Sequence, residues 1–163
     1  MRQSVIRDIN LADSGRQKIE WVRKNMPLLR SLEEDFKKHK YFSGLRIAVS
    51  VHLEAKTAYL AKVLAAGGAQ VSVTGSNPLS TQDDVAAALA ADGLNVYAWY
   101  GATNEEYFQH LNYALDIKPN IVIDDGGDLV YLLHGERQEL LSEVFGGCEE
   151  TTTGVIRLKA REK

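Results

Sequence analysis

Apolar residues recur at spacings of three and four between residues 13 and 38, where Ile19, Val22, Met26, Leu29, Leu32 and Phe36 fall along one side of a helix. The pattern predicts one long amphipathic helix, with Asp13 or Ser14 placed to cap it. The period then changes. Residues 45–51 (LRIAVSV) are short, β-branched and without polar alternation, as in a strand buried on both faces of a parallel sheet. Residues 55–66, rich in Ala, Leu and Lys, return to a helical composition. They stop at Gly67 and Gly68, the residue type that best tolerates a left-handed C-terminal position.

The same unit follows again. Residues 70–74 read as a strand, 81–91 as a helix ended near Gly93, and 96–99 as a third strand. Thr103 with Glu106 forms a capping box for a helix over 104–115, and 121–124 (IVID) is the fourth strand. Strand starts at 45, 70, 96 and 121 lie about 25 residues apart, the rhythm of successive βα units with right-handed crossovers. The expected fold class is therefore α/β, a doubly wound parallel sheet of Rossmann-like three-layer α/β/α form. It makes a single domain preceded by the long N-terminal helix. The units share a pattern and not residues, and no low-complexity or Pro/Gly-rich linker divides them. Ligands of such sheets bind beyond the carboxyl ends of the strands, which singles out the residues just after each predicted strand.

Composition narrows the function. A net charge of -3 sets up no field able to hold a polyanion or an acidic membrane, so neither nucleic acid nor a membrane is an expected partner. Cys148 is the single cysteine, so no internal disulfide forms, which fits a reducing compartment. The opening MRQSVIRDIN lacks the apolar core of a signal peptide, and no apolar run approaches the ~20 residues of a membrane span. A cytoplasmic protein is expected.

Candidate chemistry falls at the predicted strand ends. His52, Leu53, Glu54, Ala55, Lys56 and Thr57 follow the first strand. A histidine exchanges protons near neutral pH, and a carboxylate and an ammonium beside it can read a polar ring edge. His52 could equally cap the next helix. After the second strand, residues 77–84 (NPLSTQDD) look mainly structural, with Thr81 and Asp84 spaced as a capping box. After the fourth, Asp124, Asp125, Gly126, Gly127 and Asp128 put carboxylates where the backbone can approach a ligand closely. A buried acid beside another acid can have a raised pKa. Such a cluster could also hold Mg²⁺ for phosphoryl transfer, or be an acidic turn with Asp128 capping a helix. Finally, Glu150 followed by Thr151, Thr152 and Thr153 offers a carboxylate and three hydroxyls to a sugar, amide or phosphate, and could also open a helix.

Taken in order, GSNPL with STQDDVAAAL, IDDGGD and EETTTGVIRL resemble the motifs of the S-adenosylhomocysteine hydrolase family at the family's spacing. The likeness runs over essentially the whole chain, and residues 8–15 (DINLADSG) are similar to the family's opening. The resemblance implies reversible hydrolysis of S-adenosylhomocysteine to adenosine and homocysteine, in the methyl cycle, with a tightly bound NAD. The ribose 3′-hydroxyl is oxidised, the C4′ proton becomes acidic, homocysteine leaves C5′, water adds, and the ketone is reduced back, with no net redox change. His52 then matches the histidine near the 5′ leaving group and Asp125 its acid–base partner. Glu150 matches the glutamate on the ribose hydroxyls, making His52, Asp125 and Glu150 the expected catalytic set. Thr151, Thr152 and Thr153 match residues that touch NAD, and Thr57 matches a threonine of the base pocket. No metal is implied, and family members are homo-oligomers.

Two departures carry information. Where many members read HMTVET, this sequence has HLEAKT, so Glu54 and Lys56 replace a threonine and a glutamate used on the base. Glu54 could take over the adenine amino group, or the preferred purine could be the inosyl analogue. Cys148 stands where many members have serine. The family's chain also continues into an NDSxTK segment and a Rossmann domain, whereas no GxGxxG follows a strand in residues 1–163. Residues 1–163 are thus expected to be an incomplete substrate-binding domain without the NAD-binding one, catalytically silent alone. A stand-alone nucleoside-binding or regulatory module is the alternative.

Overall fold

A computed structural model describes residues 3–162. The β-branched runs form the strands β1 (Arg46–Ser50), β2 (Gln70–Thr74), β3 (Asn95–Tyr97) and β4 (Ile121–Asp124). With β5 (Gly146–Glu149) they all pair in parallel, in a five-stranded sheet of order β3-β2-β1-β4-β5. The chain moves outward from β1 to β2 and β3, then returns to the other side of β1. That reversal opens a crevice between the carboxyl ends of β1 and β4, the place where ligands enter sheets of this kind.

Helices cover both faces, giving three layers. Helices α3 (Ala55–Ala66) and α4 (Asp83–Ala91) pack on one face with the N-terminal helical segment, burying Ile19, Val22, Val49, Val73 and Leu89. Helices α5 (Asn104–Leu115) and α6 (Asp128–Leu133) pack on the other, around Leu111, Leu115, Val122 and Leu129. Truncating a fully buried leucine such as Leu111 to alanine costs about 2–5 kcal/mol in cores of this kind. The box predicted from Thr103 and Glu106 is formed in both directions, with Thr103 Oγ1 accepting from Glu106 N and Glu106 Oε2 from Thr103 N.

Several local details differ from the sequence reading. The N-terminal helical segment is divided into α1 (Ala12–Asn25) and α2 (Pro27–His39). Pro27 has no amide proton and forces the preceding Met26 out of the helical region, to φ -117° and ψ 76°. Neither Asp13 nor Ser14 caps α1; Leu11 occupies that position, and Ser14 instead donates to Asp84 at 2.7 Å. The helices meet so closely that a Cβ on Gly15 would lie 1.9 Å from the Asp84 carbonyl oxygen. Asp84 is therefore bound to α1, and the Thr81–Asp84 box is not made; Gln82 stands at the cap without a side-chain bond. Asp128 does not cap α6 either, since Gly127 holds that position.

A fifth strand, β5 (Gly146–Glu149), went unseen because its sequence GGCE has no β-branched or apolar pattern. Its place is fixed by close approach: a Cβ on Gly147 would fall 2.7 Å from Val122 Cγ2. Helix α7 (Thr152–Arg161) follows, capped by Thr151, whose Oγ1 accepts from Gly154 N at 2.8 Å.

Candidate active site

The crevice has a polar side and an apolar side. On the polar side, His52 follows β1 and Asp125 follows β4, with His52 Nε2 3.4 Å from Asp125 Oδ2. Asp125 is buried and His52 exposed. Gly126 at φ 114° and Gly127 at φ 81° turn the chain sharply after Asp125, in a region open to glycine. The β2–α4 connection supplies the other partners. Ser76 Oγ donates to Asp125 Oδ2 at 2.8 Å, and Asn77 Nδ2 lies 3.4 Å from His52 Nδ1. Beneath them the Tyr107 hydroxyl reaches both the Ser76 carbonyl and Asp128 Oδ2 at 2.8 Å. Burial first, then the facing Asp128 carboxylate, pushes the Tyr107 phenol well above its ordinary value.

The three acids of the IDDGGD turn point apart. Asp124 accepts from the amides of Asp125 and Val130, Asp125 faces His52, and Asp128 faces Tyr107. Among the described residues no group of three or more His, Cys, Asp or Glu is placed to hold a metal. Asp124 carries the raised pKa foreseen for an acid in this cluster. Burial is the main cause, opposed by the Val130 amide and reinforced by the Glu149 and Asp128 charges, and it lifts the carboxyl to about 7.

The apolar side is a cavity of about 610 Å³, within the usual size of small-molecule sites. Met26, Leu29 and Leu32 from the α1–α2 break, Val51, Leu60 and Ile123 form its walls; Thr57 lines it and is buried. Glu54, Lys56, Glu149 and Glu150 bring charge to the lining. Glu54 is the cap of α3, its Oε1 accepting from Lys56 N at 2.9 Å and Thr57 N at 3.2 Å; the cap is thus Glu54 and not His52. The Lys56 side chain makes no ion pair among the described residues. Glu150 is exposed, and its amide donates to the Asp124 carbonyl at 2.9 Å. Thr152 and Thr153 lie exposed in the first turn of α7, whereas the Thr151 hydroxyl is occupied by its cap and by Glu149.

The sequence reading missed Ser76, Tyr107 and Glu149. Glu149 Oε1 accepts from Gly126 N at 2.8 Å and Thr151 N at 3.0 Å, joining the turn after β4 to the start of α7. The doublet of acids at 149 and 150 was visible, but only pairing in the sheet reveals that they do different things. Ser76 sits in the motif that resembled the family and gave no chemical signal alone.

A parallel α/β sheet with a histidine–carboxylate pair at its switch point, beside an apolar cavity edged with charged groups, has the construction of a ligand-binding or catalytic Rossmann-like domain. The comparisons make it specific: residues 3–145 match the family model described as S-adenosyl-L-homocysteine hydrolase, and the chain belongs to that family. It is 60% identical over 158 residues to the S-inosyl-L-homocysteine hydrolase of Methanocaldococcus jannaschii, covering 97% of this chain and 38% of that protein. It is 57% identical over 158 residues to the adenosylhomocysteinase of Pyrococcus abyssi, covering 97% and 37%. The chain thus spans about 38% of the length of the first of these curated relatives.

Proposed function

We propose that this chain is the substrate-binding portion of a hydrolase that splits a purine-nucleoside thioether of homocysteine, working in the cytoplasm with NAD. The observation that carries the reading is the union, at the β1–β4 switch point, of the His52–Asp125 pair with the Glu54, Lys56 and Glu150 edge of the cavity. The purine ring stacks between the apolar walls, with Thr57 against it. Glu150 engages the ribose hydroxyls. His52 and Asp125 hold and move a proton at the 5′ leaving group, a task suited to a histidine with a buried carboxylate partner.

The chain's residues fit a cofactor at one edge. Thr152 and Thr153 present hydroxyls with no partner among the described residues, and Thr151 contributes by capping the turn that carries them. A bound NAD would supply the hydride acceptor for oxidation of the ribose. The protein's part is to orient the sugar and to move the proton at its 5′ position. Residues 1–163 contain no glycine-rich phosphate loop after a strand, so we infer that these residues alone do not turn substrate over.

A second reading concerns the base, and Lys56 favours it. Hypoxanthine offers an acceptor at O6 and a donor at N1, which complement an ammonium and a carboxylate respectively. Adenine offers a donor and an acceptor at those positions, the reverse. Glu54 Oε1 is already engaged by the Lys56 and Thr57 amides whereas the Lys56 ammonium has no ion-pair partner among the described residues, so we infer that Lys56 is the group that reaches position 6, a placement that suits the S-inosyl substrate better than the S-adenosyl one. Calorimetric titration of this chain with inosine and adenosine tests both readings. Inosine is expected to bind about tenfold tighter, a difference of ~1.4 kcal/mol. Equal binding overturns the base preference, and no binding of either overturns the proposed function.

A further inference from the structure

The His52–Asp125 pair is held from the β2–α4 connection, and the connection fixes where its proton sits. The Asn77 amide has one possible orientation. Its Oδ1 accepts from Leu79 N at 2.9 Å, so its NH₂ end faces His52, with Nδ2 3.4 Å from Nδ1. An NH₂ group offers protons and no lone pair. Nδ1 must therefore present its own lone pair to Asn77, and the neutral ring carries its proton on Nε2, the nitrogen that faces Asp125 Oδ2 at 3.4 Å. The receiving carboxylate is fixed independently, since buried Ser76 donates to the same Oδ2 at 2.8 Å while its carbonyl is anchored by Tyr107. A ring nitrogen's protonation is set by what the other nitrogen bonds, a general property of imidazole.

We infer that Asn77 is a positioning residue that holds His52 in the Nε2–H tautomer, with the proton on the side of a carboxylate that Ser76 keeps in place. The neutral ring then has its one basic lone pair on Nδ1, engaged by the Asn77 amide, and the proton it can give is the one on Nε2, on the side of Asp125. The catalytic value of this arrangement rests on the reading of His52 and Asp125 as the acid–base pair; the tautomer itself does not.

Ring ¹⁵N spectra of the histidine-labelled chain decide it, with His52 assigned among the four histidines by its loss in His52→Gln. They are recorded about two pH units above the ordinary histidine value of ~6.5, so that the rings are neutral. The expected result is a protonated Nε2 and a bare Nδ1. Asn77→Asp puts an acceptor before Nδ1 and is expected to exchange the two nitrogen shifts, as the proton moves to Nδ1. Ser76→Ala is expected to keep the tautomer and speed exchange of the Nε2 proton with water severalfold. A proton on Nδ1 in the unsubstituted chain overturns the inference, even if Asn77→Asp does not fold. Unchanged ring nitrogens in a folded Asn77→Asp overturn it as well. If the tautomer is as expected while replacing His52 in a full-length relative leaves hydrolysis intact, the acid–base reading falls and the positioning stands.

Discussion

The two sides of the crevice are built on opposite principles. On the polar side each group is held by a neighbour: Ser76 and Tyr107 fix Asp125 and Asp128 through bonds of 2.8 Å, most of them buried. On the apolar side the walls are alkyl side chains from the α1–α2 break, the end of β1, α3 and β4, most of them half-buried, with charge at the rim. Hydrogen bonds fix direction, so the polar side is ready before a ligand arrives. Apolar contact fixes only shape, so the other side gains its full burial when a flat ring fills it. The protein thus orders the atoms that exchange protons and leaves the atoms that grip the ligand adaptable.

The largest effect is expected at Asp124, beneath the polar side. Its carboxyl has an ordinary value of 3.8 and a folded value of about 7, so the folded chain binds the extra proton between them. Its contribution to stability is complete below about pH 4 and is lost as pH rises through about 7. The loss is on the order of a few kcal/mol. Denaturant melts from pH 4 to 8 should show that decline in the unsubstituted chain and a flatter profile in Asp124→Asn. A profile of equal slope in both would sink the assignment.

Tyr107→Phe comes next. It leaves the Ser76 carbonyl and Asp128 without their shared donor and should cost about 2 kcal/mol in the urea midpoint, the size of a buried polar group losing its partner. On the apolar side, Leu60→Ala removes part of a half-buried wall and should cost only about 1 kcal/mol of stability. Its larger effect belongs to nucleoside affinity, read by calorimetry; the reverse ranking would mean the cavity is structural core. Lys56→Glu at the exposed rim should move stability by less than ~0.5 kcal/mol and remove the preference for inosine over adenosine.

Much of the scaffold was legible because its signals are local. Buried β-branched runs, the Thr103–Glu106 box and the Gly67 stop act within a few residues, and each lies where the pattern put it. The break at Pro27 was local too, but the apolar spacing continues unbroken through it and obscures it. Beta5 has no comparable signal, since GGCE is chosen for close approach to Val122 and not for strand propensity.

Local sequence alone sets the parallel α/β sheet and puts His52 and Asp125 at strand ends, because periodicity and β-branching act through neighbours along the chain. Motif resemblance added the family. Only the tertiary structure decided what those residues face. Ser76 and Asp125 are 49 residues apart, Tyr107 and Ser76 31, and Gly126 and Glu149 23, so each contact exists only once strands from distant segments pair. A hydrogen bond depends on angstroms between partners that the chain brings together last, and no local spacing encodes it.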